Sequence, residues 1–288
     1  MQEKILALDP LDCYAAHQGL KAAEARKDPD LIRKWSGLTF QSAQKAISSP
    51  QPKAEAEVAE WKTLVDWASQ VKQYADYSLY AGSLQIADPK KKIELIEALQ
   101  AQDPQSEYLP KAAPTLFLAY RQTGANDKAI ALAEKVLATD QSDEDMLLVV
   151  GDHYAQNRRE PAKVHAYAAK IVEVLSSKPK PEGVTDADWQ KRKNTYMGVA
   201  HYMSGKLYYT ENNFPASDRE LRAALPLIQD NAQMKPEVLF YLGVADFKLE
   251  KVQDAANFNR QCAALQSPFT ATCAKNLTAI RTQYRGVK

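Results

Sequence analysis

The segment MSGKLYYTENNFPASDRELRAAL, residues 203–225, decides the fold class. It begins as a helix that carries Gly205 with Tyr208 three residues later, continues through a polar turn, and ends as a second helix rich in Ala. The same order of helix, turn and Ala-rich helix recurs in three further segments, residues 116–137, 148–172 and 241–265. Such recurrence indicates stacked helical repeats, because each helix pair has an apolar side that it cannot bury alone.

The spacing and the composition agree with this interpretation. Phe117 and Gly151 stand 34 residues apart, and Gly205 and Gly243 stand 38 apart. Only 10 of the 288 residues are Gly, and most of the 15 Pro follow Asp, Ser or Lys. Because Gly disfavours helix interiors and Pro ends helices, this usage predicts an all-α protein.

A 34-residue helix–turn–helix period resembles the tetratricopeptide repeat (TPR), whose signature places Leu-Gly-x-x-Tyr in the first helix and Ala in the second. Gly151 with Tyr154, and Gly205 with Tyr208, carry the resemblance, which is best over residues 106–265. The departures include Phe117 in place of Gly and Asp246 in place of Tyr. The resemblance implies a right-handed α-solenoid, an α/α superhelix, of antiparallel helix pairs.

The regions outside the best repeats are also predicted to be helical. Looser helical repeats occupy residues 1–105, and TPR-like repeats with a C-terminal cap helix occupy 106–288, as one continuous solenoid. The predicted helices are 11–27, 30–48, 53–87 (with a possible break near Ser69 or Ala81-Gly82), 90–101 and the cap at 269–284. Trp35, Trp61 and Trp67 are expected to anchor the core.

The start of the chain resembles the tail of a second helix. In EKILALDPLD, residues 3–12, Ile5 precedes Asp9 as Leu99 precedes Asp103. We therefore expect the chain to begin half a repeat late, either as a lone packing helix or as a chain trimmed from a longer precursor. Trimming after removal of a signal favours an extracytoplasmic (periplasmic or secreted) location, although no signal peptide is visible.

Charge and motifs argue against several functional classes. The 37 Lys and Arg nearly balance the 36 Asp and Glu, so no basic excess for nucleic acid is present. No apolar run approaches the length of a membrane span. Phosphate-loop, HExxH, GxGxxG and GxSxG motifs are missing, which argues against the enzymes that carry them. No cofactor, metal or catalytic residue is predicted.

The remaining polar candidates have structural explanations. His17, His153, His165 and His201 are scattered and are interpreted as satisfied or surface histidines. Asp143-Glu144-Asp145 stands at a predicted helix start, where negative charge complements the helix dipole.

Two of the three cysteines invite a disulfide. Cys262 and Cys273 flank a predicted turn, so an antiparallel hairpin would bring them level. A bond would imply an oxidising compartment. Helix axes lie about 8–10 Å apart, however, and bonded cysteine Cα atoms must approach within roughly 7 Å. We therefore expect two reduced, buried cysteines.

The candidate functional surface is the concave groove that the resemblance implies along the first helices. Tyr202, Lys206 and Tyr209 lie at i, i+4 and i+7, away from the apolar stripe of their helix. The resemblance adds six residues at or near concave positions: Arg121, Gln122, Asp152, Gln156, Phe247 and Lys248. Aromatic side chains with polar tips suit a peptide-binding groove. They could equally pack between adjacent first helices.

The predicted function is a non-catalytic scaffold that binds a peptide or protein segment in this groove. Two alternatives stay open: a structural subunit of a bacterial-type envelope complex, and an enzyme or small-ligand protein with a pocket between the N-terminal helices and the repeats. The identity of the partner is not predicted.

Overall fold

The computed structural model describes residues 2–9, 12–284 and 286, which are helical with short turns. The helices are, in order, α1 (Gln2–Leu8), α2 (Cys13–Arg26), α3 (Pro29–Ile47), α4 (Glu55–Gln85), α5 (Pro89–Gln102), α6 (Tyr108–Gln122), α7 (Asn126–Leu137), α8 (Glu144–Gln156), α9 (Pro161–Ser177), α10 (Asp186–Thr210), α11 (Phe214–Ala224), a 3-10 turn (Leu225–Ile228), α12 (Met234–Lys248), α13 (Val252–Ala263) and α14 (Thr270–Gln283). The fold is all-α, as predicted.

The helix bounds follow local sequence signals. Asp28 and Asp88 cap α3 and α5 by accepting hydrogen bonds from backbone N–H groups, and a Pro follows each cap. Thr185 accepts from the N–H of Asp188 at 3.1 Å and caps α10. These caps satisfy N–H groups that a helix start leaves unpaired. The five helices predicted outside the repeats are confirmed within two residues at each described end.

Two of the predictions for the N-terminal region need qualification. Helix α4 runs through Ser69 and Gly82 without the break that was considered possible. Trp35 is buried as expected, whereas Trp61 and Trp67 are half-buried, and Trp67 packs against a small buried cluster that includes Cys13 and Ala68. Helix α1 ends at Leu8, consistent with a stop before Pro10, which itself lies outside the described residues.

The chain divides into two compact units, Met1–Val136 (the first unit) and Leu137–Lys288 (the second unit). The first unit has a core around Leu20, Trp35, Leu79 and Leu99. The second has one around Leu221, Leu239, Leu242 and Cys262. The boundary predicted at residues 105/106 concerns how closely the sequence matches the repeat, and it stays a prediction.

A fixed packing register shows that the helix pairs repeat. In four pairs, a Gly of the first helix lies against the residue that stands sixteen positions later in the second helix: Gly19 with Trp35, Gly151 with Tyr167, Gly205 with Leu221, and Gly243 with Asn259. A Cβ atom at Gly205 would lie 2.7 Å from Leu221 Cγ, which is too close for a real contact. At Gly19, Gly205 and Gly243, Gly is needed because the paired helix approaches closely, whereas at Gly151 the closest atom is Met203 Cε of α10, 2.9 Å from where a Cβ would lie, and Tyr167 Cβ is at an ordinary contact distance of 3.8 Å.

The turns repeat as well. Seven residues after Phe117, Gly151, Gly205 and Gly243, the chain adopts a positive φ, at Gly124, Arg158, Asn212 and Glu250. In each turn, the next backbone N–H bonds back to the carbonyl of Tyr120, Tyr154, Tyr208 or Asp246. This left-handed residue ends the first helix and starts the turn. The protein is therefore an all-α helical repeat protein made of antiparallel helix pairs.

Candidate protein-binding surfaces

The predicted groove residues on α10 meet the next first helix, α12, around one carboxylate. Glu237 accepts a hydrogen bond from the Tyr202 hydroxyl at 2.6 Å and pairs with Lys206 Nζ at 2.8 Å. Lys206 Nζ also donates to the Tyr202 hydroxyl oxygen at 3.1 Å. Tyr241, four residues after Glu237 on α12, also lowers the pKa of the Glu237 carboxyl. We call Tyr202, Lys206, Glu237 and Tyr241 the Glu237 cluster.

The cluster is half-buried, and its titration reflects this. Burial alone would raise the pKa of Glu237, but hydrogen bonds from Lys206 and Tyr202 outweigh it, so the pKa lies below its ordinary value. Burial and the bond to Glu237 raise the pKa of the Tyr202 hydroxyl. The side chain of Lys206 is nevertheless 43% exposed. At neutral pH the cluster therefore presents a charged pair and two phenol groups at a partly open surface.

Tyr209 and Asp152 lie beside the cluster. The Tyr209 ring is 4.6 Å from the Tyr241 ring and 6.0 Å from that of Phe214, centroid to centroid. On α8, the exposed side chain of Gln156 donates to Asp152 Oδ2 at 2.6 Å. The negative charge of Asp152 contributes to the raised pKa of Tyr202. Predicted residues from α8 and α10 therefore belong to one neighbourhood with α12.

The other predicted residues lie elsewhere. Arg121 and Gln122 end α6 in the first unit, where Arg121 Nη1 donates to Asn126 Oδ1 at 2.9 Å. Phe247 is half-buried, with its ring 6.3 Å from that of Tyr284, and Lys248 is exposed in the last turn of α12.

Sequence reasoning missed Glu237 and Tyr241. Glu237 stands 35 residues after Tyr202, close to the repeat period, and this spacing is the signal that could have identified it. The pattern within a single helix does not reveal it, because the contact joins α10 to α12.

A second surface, in the first unit, consists of seven aromatic rings, each of which lies next to the following one in space. Their successive centroids lie 5.3 to 6.2 Å apart, and the rings are those of Tyr14, Trp67, His17, Tyr74, Tyr77, Tyr108 and Tyr80. We call this set the aromatic face. Tyr14 is 64% exposed and Tyr77 is 44% exposed. The exposed Leu64 and Leu84 lie on the same helix as Trp67 and Tyr77.

Polar groups fix the centre of the aromatic face. Glu24 accepts from the Tyr74 hydroxyl at 2.6 Å and from the Ser78 hydroxyl at 2.5 Å. Lys21 Nζ lies 4.0 Å from the centre of the Tyr74 ring and donates to its hydroxyl oxygen. The ring of Tyr74 is therefore held in one orientation, while Tyr14 and Tyr77 extend into solvent.

A buried group of charges lies between α11, α12 and α13. Asp246 is fully buried and pairs with Arg222, which also contacts Asp254 at 2.9 Å. Lys251 pairs with Asp218 and lies 3.8 Å from Asp246 Oδ1, an atom with no hydrogen-bond partner. Burial and the charge of Asp218 raise the pKa of Asp246 to about 7. We call these five residues the Asp246 cluster.

Two of the histidines and the acidic run make local polar contacts. His165 Nδ1 lies 2.8 Å from Ser204 Oγ, and His201 Nδ1 lies 2.8 Å from Glu220. Asp143 caps α8, and the buried Glu144 pairs with Lys178 and Arg192. Within the described residues, no group of three or more His, Cys, Asp or Glu side chains is arranged to hold a metal ion.

The prediction of two reduced cysteines in the hairpin is wrong. Cys262 and Cys273 form a disulfide, with their Cα atoms 5.9 Å apart. The usual spacing of helix axes does not apply here, because the bond joins the last turn of α13 to the first turn of α14, on either side of the connecting turn. Cys13 is a buried thiol, and burial raises its pKa.

Comparisons with known proteins give limited information. No protein-family model matches the chain, and no curated protein is similar to it in sequence. Among solved structures, the chain is similar to a thermophilic TPR protein of Thermus thermophilus, with 15% identity and a TM-score of 0.31, over 73% of this chain and 99% of the other. A likeness of this size carries no argument about function. In the part of the chain that the structure describes, no helix combines the length and apolar character of a membrane span.

Proposed function

We propose that the protein is a non-catalytic scaffold with tetratricopeptide-like repeats, and that it binds a peptide or protein segment along the first helices of its second unit. The observation that carries this proposal is the Glu237 cluster. It unites the predicted Tyr202 and Lys206 with a carboxylate from the next first helix. The sixteen-residue packing register and the left-handed turns support the assignment of the repeats.

The chemistry of the cluster suits a peptide. Tyr rings supply contact area at low entropic cost, and their hydroxyls can exchange a hydrogen bond to Glu237 for one to a peptide carbonyl. Lys206 is positioned to pair with a peptide carboxylate, since its ammonium is partly exposed and already oriented by Glu237. Asp152 and Gln156 extend the polar surface along α8.

Two carboxyl groups with raised pKa values do not favour catalysis. Burial raises the pKa of Asp76 to about 6, and that of Asp246 is raised to about 7. Asp76 is 5% exposed and Asp246 is fully buried, so neither reaches a substrate. We infer that both are structural groups.

A second candidate function is assembly with another folded protein through the aromatic face. The exposed Tyr14 and Tyr77 favour it, because they belong to one continuous set of rings and exposed apolar side chains that gather on one face mark interaction sites. This candidate corresponds to the structural subunit that the sequence left open.

The test is selection of peptides from a random phage-displayed library on the purified chain. We expect enriched peptides whose affinity, measured by fluorescence anisotropy, falls at least about tenfold for the double variant Lys206→Ala/Tyr209→Ala. Tyr14→Ala is the matched control in the aromatic face and should bind as the parent does. Circular dichroism verifies that both variants fold.

The outcomes separate the two candidates. Peptides that lose affinity only for Tyr14→Ala would transfer the function to the aromatic face. Failure to enrich any peptide, or equal affinity for all variants, would contradict peptide binding at the Glu237 cluster.

A further inference from the structure

A small cavity lies next to α12 on the side of the terminal helix α14. It has a volume of about 150 Å³. Its walls come from α12, α13 and α14, and the lining residues that the argument uses are Val244, Phe247, Asn259, Asn276, Ala279 and Gln283. We call it the Asn259 pocket.

The pocket lies where α14 presents small side chains to α12. Relative to the packing Gly, Val244 and Phe247 of α12 occupy the positions that Lys206 and Tyr209 occupy on α10. Between α10 and α12, that space is filled by Glu237 and Tyr241. Next to α12, α14 contributes Asn276 and Ala279 instead, so the equivalent space stays open.

One wall of the pocket carries an unused hydrogen-bond acceptor. Asn259 is 1% exposed, and its Nδ2 donates to the carbonyl of Ala255 at 2.8 Å. Its Oδ1 atom is buried and has no hydrogen-bond partner. The Nδ2 bond fixes the amide, so Oδ1 cannot exchange places with the nitrogen. A buried acceptor without a donor costs free energy, and a ligand that supplies a donor recovers it.

The lining determines the chemical class of such a ligand. None of the lining residues is charged, so an ionised group would lose its hydration without gaining a partner. The apolar wall of Val244 and Phe247 accepts a short hydrocarbon chain. The side-chain amides of Asn276 and Gln283 provide donors for a ligand oxygen. A neutral group with both an N–H donor and a carbonyl acceptor fits these walls.

We propose that the Asn259 pocket is a specificity pocket for a carboxamide side chain, Asn or Gln, of the bound peptide. The ligand amide donates to Asn259 Oδ1 and accepts from Asn276 or Gln283. The volume suits this occupant, because a cavity of about 150 Å³ holds a molecule as large as benzene. This inference rests on the proposed function for its occupant, but the chemistry of the pocket can be tested without any peptide.

The first experiment titrates the ¹⁵N-labelled chain with propionamide and follows the NMR signals of the Gly243 amide and the Asn259 side chain. Methyl acetate, which has a similar size but no N–H donor, and propionate, which is charged, are the comparison probes. We expect saturable shifts with propionamide and at least about tenfold weaker binding of both comparison probes. Equal binding of methyl acetate, or the absence of shifts, would overturn the proposal on the unmodified protein alone.

A pair of variants locates the site. Ala279→Phe fills the pocket and should abolish the propionamide shifts. Ala274→Phe places the same side chain at an exposed position of α14 that does not line the pocket, and should leave them unchanged. Shifts that persist in Ala279→Phe would place the probe elsewhere and refute the assignment.

A final comparison separates this inference from the proposed function. Replacing Asn or Gln by Leu in a selected peptide should weaken its binding about tenfold for the parent chain but not for Ala279→Phe. If selected peptides bind without needing an amide, the pocket assignment fails and the scaffold function stands. If propionamide binds the pocket but no peptide binds the chain, the scaffold function fails and the amide pocket stands.

Discussion

At the scale of single residues, Asp246 is the largest departure from the repeat. It occupies the position that holds Tyr120, Tyr154 and Tyr208 in the other pairs, three residues after the helix position that contacts the second helix. A Tyr there can fill the space with its ring, whereas Asp buries a carboxyl group that needs partners. Arg222 and Lys251 supply positive charge, but the neighbouring Asp218 opposes ionisation. Asp in place of Tyr therefore puts a titratable carboxyl group where the other helix pairs have an aromatic ring.

Asp246 makes stability depend on pH. Its pKa rises from the ordinary 3.8 to about 7 on folding, so the folded state holds a proton that the unfolded state has lost. The resulting stabilisation is complete below about pH 4 and is lost as the pH rises through about 7. We expect Asp246→Asn, which keeps the neutral form, to remove up to about 4 kcal/mol of this pH dependence. Thermal melts at about pH 5.5 and about pH 8 cover about half of this range, so the difference between parent and variant should be about 2 kcal/mol between those two pH values.

The control for this prediction is Asp254→Asn, which changes a half-exposed carboxylate of the same cluster. It should keep the pH dependence of the parent. Asp218 acts in a different window, because its lowered pKa gives stability that disappears only on acidification below its ordinary value. A parent protein whose melting temperature changes with pH no more than that of Asp246→Asn would contradict the role of Asp246.

At the scale of elements, the turns between paired helices contain backbone strain. Arg158 and Glu250 adopt φ values of 53° and 61°, in the left-handed region that favours Gly, whereas the equivalent position in an earlier pair is Gly124. A side chain in this region costs about 1–2 kcal/mol. The turn itself is required, because its residue ends one helix and directs the chain into the next.

Glu250→Gly should therefore stabilise the protein. Glu250 is exposed, so its side chain contributes little packing. We expect a gain of about 0.5–1 kcal/mol, since Gly relieves the strain but also makes the unfolded chain more flexible. Urea unfolding measures the change. Gly124→Ala is the converse control and should cost about 1 kcal/mol. A neutral or destabilising Glu250→Gly would show that the strain is negligible.

Elements were predictable where their signals are local. The caps at Asp28, Asp88 and Thr185 are short-range patterns, so the helix bounds could be inferred within two residues. The Gly19–Trp35 pair follows the same register as the later repeats, and a search for the sixteen-residue spacing would have identified it. The disulfide could not be inferred from average helix spacing, because the distance between two helices varies along their length.

At the scale of the whole molecule, the state of the three cysteines reports on the environment in which the protein folds. Disulfides persist mainly in oxidising compartments, so we expect the Cys262–Cys273 bond to form when the chain folds under oxidising conditions. We expect thiol alkylation of the denatured, unreduced chain to give one adduct, at Cys13, and prior reduction to give three. Intact mass spectrometry of protein produced in an oxidising compartment measures both.

The matched control for the cysteine assignment is Cys13→Ser, which should give no adduct before reduction and two afterwards. Reduction should also destabilise the second unit by about 2–3 kcal/mol, because the bond restricts the unfolded chain. Three adducts without reduction would refute the bond.

The functional surface was less predictable than the fold. Sequence periodicity identified the polar side of α10, because it depends on one helix, and it therefore found Tyr202, Lys206 and Tyr209. Glu237 contacts Tyr202, which stands 35 residues earlier on another helix, and Asn259 contacts Gly243, which stands 16 residues earlier. Such contacts depend on the packing register between helices, and the contacts of the paired glycines in the structure define that register.

The disulfide also makes the two ends of α14 different, because it bonds one of them to α13. Cys273 lies in the first turn of α14, and its disulfide bonds that end of the helix covalently to α13, whereas Gln283 lies at the opposite end. Asn276, Ala279 and Gln283, which line the Asn259 pocket, all follow the bonded turn. We therefore expect the Cys273 end of α14 to be held more firmly against α13 than the Gln283 end. The position of the α14 wall of the pocket thus depends in part on the oxidation state of two cysteines that do not line it.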